Sequence, residues 1–85
     1  MVKIKLETNA TEYLSEAETM LEALEKLNLN YTHIKAKGVI TFERGKNKGS
    51  KLMYLRQLRM LFANKTRRVG WAKQFEMLLE ANKTI

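Results

Sequence analysis

Ten basic residues, Arg44, Lys46, Lys48, Lys51, Arg56, Arg59, Lys65, Arg67, Arg68 and Lys73, fall within 30 residues that contain no carboxylate. Such side chains repel one another unless counterions or a polyanion neutralise them. Lysine supplies a point charge, and arginine a planar fork that grips phosphate with two parallel hydrogen bonds. The chemistry on offer is a sequence-independent hold on a phosphate backbone. Arg56 and Arg59, three apart, share a face of a predicted helix. Arg67 and Arg68 precede the last predicted helix, whose dipole adds to their field. Tyr54 and Trp71 offer rings for base stacking, although Trp71, four residues before Phe75, has core spacing.

Catalytic groups are scarce. The chain has no Cys and no Asp, and its one histidine is His33. No Ser-His-Asp or Cys-His constellation can be completed, and His33 reads as a surface strand residue. Glu18, Glu22 and Glu25 share a helical face but read as solvated. Glu43 stands alone, whereas a divalent-metal nuclease needs several converging carboxylates. The segment Gly45-Lys46-Asn47-Lys48-Gly49-Ser50-Lys51 resembles a phosphate loop only in composition. Three residues separate its glycines instead of four, and Ser50 precedes Lys51. Two glycines, three lysines and a helix predicted from Ser50 would still favour an anion. No enzyme activity, metal or cofactor is expected.

The 85 residues suit one domain, 1–85, which buries only about 60–65% of its unfolded surface. With no cysteine there is no disulfide to reinforce it. No apolar run reaches the ~20 residues of a membrane span, and residues 1–6 alternate too strictly for a signal peptide, so a cytoplasmic protein is expected. The formal charge of +7 is unevenly divided. Residues 1–32 carry six Glu against three Lys, and residues 33–85 carry thirteen Lys/Arg against three Glu.

The elements that position these charges follow from periodicity. Val2, Ile4 and Leu6 alternate with Lys3, Lys5 and Glu7, predicting a half-buried strand. Asn9, with Glu12 three residues later, reads as the cap of an amphipathic helix over 10–27, with Leu14, Ala17, Met20, Leu21, Leu24 and Leu27 inward; residues 28–30 end it. Residues 31–44 read as a β-hairpin turning at 36–38, with Ile34 opposite Ile40 and Thr32 opposite Phe42. A basic loop over 45–49 leads to a helix capped by Ser50, whose stripe is Leu52, Leu55, Leu58, Leu61 and Phe62. Residues 64–68 interrupt the pattern before a last helix over 69–81, and 82–85 read as a frayed tail.

The predicted fold class is α+β, a small three-stranded antiparallel sheet with helices packed on one face, in the order β-α-β-β-α-α. The covered face carries Val2, Ile4, Leu6, Ile34, Ile40 and Phe42. The other, showing Lys3, Lys5, His33, Lys35 and Thr41, is expected to be basic. The expected core is Leu6, Leu14, Leu21, Leu24, Ile34, Phe42, Leu55, Leu58, Phe62, Phe75 and Leu78.

The function expected from this pattern is non-enzymatic binding of DNA or RNA through the basic residues of 44–73. The hairpin, or the last helix of a helix-turn-helix-like pair, would enter a groove. The alternative is a small protein-binding modulator, of phage or mobile-element type, that docks on an acidic surface of a larger machine. A homodimer pairing the acidic helix with the basic half would serve either role.

Overall fold

The computed structural model describes residues 1–82. The first strand, β1 (Val2–Glu7), forms as its alternation requires, with Val2, Ile4 and Leu6 buried. The chain does not then enter a helix. Thr8 and Thr11 close a turn, with the Thr8 amide donating to the Thr11 carbonyl at 2.9 Å. The Thr8 hydroxyl accepts from the Thr11 amide at 3.2 Å and donates to its carbonyl at 3.0 Å. The chain returns as β2 (Glu12–Ala17), antiparallel to β1.

The helix expected over 10–27 therefore shrinks to α1 (Met20–Lys26), capped by Thr19, whose hydroxyl accepts from the Glu22 amide at 3.1 Å. Residues 12–17 lack a clean apolar alternation, and hydrogen bonding to β1 makes them a strand. Leu14 consequently points away from the helices and is 69% exposed, so it leaves the expected core. Ser15 faces inward and ties β2 to α1, its hydroxyl donating to the Ala23 carbonyl at 2.6 Å. Asn28, at φ 45, ends α1 in the left-handed conformation that asparagine tolerates.

Residues 31–33 form a 3-10 turn instead of a strand, because the Asn30 side chain captures the Thr32 amide at 3.0 Å and the Thr32 hydroxyl at 2.6 Å. The hairpin lies later, between β3 (Gly38–Arg44) and β4 (Asn47–Met53). Arg44 pairs with Asn47 across a two-residue loop in which Gly45 has φ 60, a conformation glycine adopts without strain. The expected pairs Ile34–Ile40 and Thr32–Phe42 do not form. Phe42 instead faces Gly49, and Ile40 faces Lys51.

The sheet has four strands, not three, in the antiparallel order β2-β1-β3-β4. Helix α2 (Leu55–Ala63) begins five residues after Ser50, and α3 (Lys65–Ala81) begins at Lys65. The observed order is thus β-β-α-β-β-α-α, with the 3-10 turn before β3. The expected tail lies outside the described residues except for Asn82, the C-cap of α3.

All three helices lie on one sheet face. The core between the layers joins Val2, Ile4, Leu6, Ile40, Phe42 and Met53 to Met20 and Leu24 of α1, Leu58 and Leu61 of α2, and Phe75 and Leu79 of α3. Each such side chain contributes roughly 1.5–3 kcal/mol when fully buried. Phe42 stacks on Phe75 with ring centroids 4.8 Å apart, and Trp71 tilts against Phe75 at 5.7 Å. Trp71 is thus half-buried against the core. Leu52, expected on a helix stripe, lies on β4 facing solvent.

Candidate nucleic-acid interface

The ten predicted cations do not form one surface. Arg44 points to the helix side and is held by Glu76 of α3, its Nη1 donating to Oε2 at 3.0 Å and its Nη2 to Oε1 at 2.5 Å. These hydrogen bonds raise its pKa above the ordinary arginine value, partial burial opposes the shift, and the charges of Glu76 and Glu80 add to it. A guanidinium so occupied has little left to offer a phosphate.

Lys46 occupies the β3–β4 loop, and Lys48 and Lys51 lie on β4, so the basic loop expected over 45–49 is mostly strand. Lys48 faces the open side of the sheet, 3.7 Å from Glu43. The phosphate-loop reading fails with the loop itself, because no helix begins at Ser50. Gly49 has a packing role under Phe42 instead.

The cluster at 65–68 is the first turn of α3, and only Asn64 separates α2 from α3. A helix-turn-helix needs a turn of about 3–4 residues, so that expectation is not met. Lys65 and Arg67 are exposed at the positive end of the α3 dipole, an arrangement that costs stability unless an anion is near. Arg68 turns back instead. Its Nη1 donates to the carbonyls of Leu61 at 3.3 Å and Phe62 at 3.0 Å, the negative end of α2, and its Nε is buried with no hydrogen-bond partner among the described residues. Lys73 lies exposed further along α3.

One group of cations does come together. Helix α2 buries Leu58 and Leu61 and turns Arg56, Arg59, Met60 and Ala63 outward, at positions i, i+3, i+4 and i+7. Arg59 Nη2 reaches the Ile34 carbonyl at 3.4 Å, which sets the outer face of α2 beside segment 33–37. Ile34 anchors that segment in the core, while His33, Lys35 and Lys37 are exposed. Lys35 and Lys37 were outside the predicted set. Their signal was a short stretch with no carboxylate just upstream of it. Tyr54, immediately before α2, is 60% exposed.

The open sheet face is not basic, and His33 and Lys35 are not on it. It shows Lys3, Lys5 and Lys48 among Glu7, Glu12, Glu16 and Glu43. A shallow depression of about 530 Å³ there is lined by both signs of charge, including Lys3, Lys5, Glu16 and Glu43. Among the described residues no three His, Cys, Asp or Glu side chains are placed to hold a metal ion, and no helix is long and apolar enough to cross a membrane. Comparison with known protein families, with curated proteins and with solved structures finds no match to this chain.

Proposed function

We propose that the protein binds nucleic acid without catalysis, through the outer face of α2 and the adjoining segment 33–37. The observation that carries this reading is the charge of that surface. Arg56, Arg59, Lys35 and Lys37 lie on two stretches without a carboxylate, and none of the four forms an ion pair among the described residues. Lys65 and Arg67 extend the positive field at the start of α3. The exposed Tyr54 ring, at the N-cap of α2, adds a π-face usable for stacking on a base. The test is a fluorescence-anisotropy titration of duplex DNA, single-stranded DNA and RNA at several salt concentrations. Engagement of four phosphates is expected to weaken binding about a hundredfold between roughly 50 and 200 mM salt. A dissociation constant above about 100 μM at 50 mM salt would exclude nucleic acid as the partner.

A second reading rests on Met60, which is exposed on α2 next to Arg59 and one turn after Arg56, and on Tyr54. Apolar side chains within a cationic patch also suit an acidic protein surface. An acidic protein partner whose binding is lost on Arg56→Ala/Arg59→Ala, together with nucleic-acid binding weaker than about 100 μM at roughly 50 mM salt, would select this alternative.

A further inference from the structure

The two edges of the sheet carry opposite charge. Strand β2 contains Glu12 and Glu16 and no Lys or Arg, whereas β4 contains Lys48 and Lys51 and no carboxylate. Among the described residues each is an edge of the sheet, hydrogen-bonded to one neighbouring strand. Lysines often protect an edge strand from pairing. That explanation suits both edges only if both repel, and here the opposite edge is acidic.

The register across the open face sharpens the point. Lys3 faces Glu16 on β2 and Glu43 on β3, and Glu43 faces Lys48 on β4. The row therefore reads Glu16, Lys3, Glu43, Lys48, with signs alternating from edge to edge. β2 and β4 run in opposite directions, so β2 of one copy can add antiparallel to β4 of another. We propose that copies of this chain associate in this way, with Glu16 of one beside Lys48 of the next and the alternating row continued across the junction.

This register sets Ser50 opposite Leu14 and leaves Leu52 as a diagonal neighbour of Leu14, within reach across a sheet. The two apolar side chains are 69% and 43% exposed in the single copy, and the junction covers both. Pairing β2 with β2 about Leu14 would set Glu12 opposite Glu16, and pairing β4 with β4 would gather four lysines without a carboxylate. The junction joins unlike edges, so it is heterologous and builds short chains of copies instead of a closed twofold dimer. It does not depend on nucleic-acid binding.

The test is sedimentation of the full chain, free of nucleic acid, over concentrations up to about 1 mM, the range of a weak contact. The average mass is expected to rise with concentration. Lys48→Glu and Glu16→Lys each set like charges across the junction and are expected to weaken association about tenfold. Mixing the two variants restores an opposite-sign pair at every junction, so association should return. Circular dichroism establishes that each variant remains folded. If either does not, Leu14→Thr replaces it, since it alters only an exposed side chain and should weaken association severalfold. A wild type that stays monomeric at 1 mM would overturn the proposal. So would association that ignores these substitutions, or folded charge variants that fail to recover on mixing.

Discussion

The Phe42 ring lies across the bare backbone of Gly49 on the neighbouring strand. A Cβ at Gly49 would sit inside van der Waals contact with Phe42 Cε2 and 2.9 Å from Cζ. The ring cannot retreat, because its other face stacks on Phe75 and both side chains are fully buried. Gly49→Ala is therefore an overpacking substitution, expected to cost about 1–3 kcal/mol. Urea unfolding should show a lower midpoint with an unchanged slope. An unaltered midpoint would mean that β4 does not cross Phe42 as described.

Gly70 stands in the opposite situation. It lies exposed within α3, and a Cβ there would meet nothing within 4 Å. Glycine in a helix interior costs roughly 0.5–1 kcal/mol relative to alanine. Gly70→Ala should accordingly raise the melting temperature by several degrees, about 4–8 °C per kcal/mol for a domain this small. A fall would show a contact at Gly70 that the isolated chain does not make.

The contrast between these glycines shows what is legible in the sequence. β1 and the end of α1 at Asn28 are readable because alternation and asparagine act locally. β4 is not, since its residues Asn47, Lys48, Gly49, Ser50 and Lys51 contain no apolar alternation. It becomes a strand by pairing with β3, and Gly49 is required there by a ring on that neighbouring strand. Residues 12–17 mislead because Leu14, Ala17 and Leu21 fit helical spacing, whereas as a strand they set Leu14 on one face with Glu12 and Glu16. The Thr19-x-x-Glu22 pattern marks the true helix start. The candidate site is legible only as charge. Nothing local indicates that Arg44 will meet a glutamate 32 residues away.

Arg67 and Arg68 are adjacent but perform different work. Arg68 caps the last carbonyls of α2, so Arg68→Ala is expected to destabilise the fold by about 1–2 kcal/mol. Arg67 is exposed, and Arg67→Ala should change stability by less than about 0.5 kcal/mol. Thermal melts of the two single variants decide this. Equal losses would place both guanidiniums in the same environment, against the geometry.

The salt dependence of binding should separate the basic residues into two classes. On duplex DNA, removing one side chain that neutralises a phosphate lowers the slope of log K against log salt by about 0.9. Arg56 and Arg59 lie on the proposed surface, so Arg56→Ala/Arg59→Ala is expected to reduce the slope by nearly two units and weaken all sequences alike. Arg44 already spends its fork on Glu76, with both side chains roughly two-fifths exposed. Arg44→Ala should leave the slope unchanged and cost stability by about 1 kcal/mol or less, the range of a solvent-screened ion pair. Glu76→Gln gives the reciprocal control. It loosens Arg44 without removing its charge, and a slope that rises in this variant would mean that Glu76 restrains a phosphate-binding arginine. If Arg44→Ala flattens the slope while Arg56→Ala/Arg59→Ala does not, the binding surface lies at the β3–β4 hairpin and not on α2.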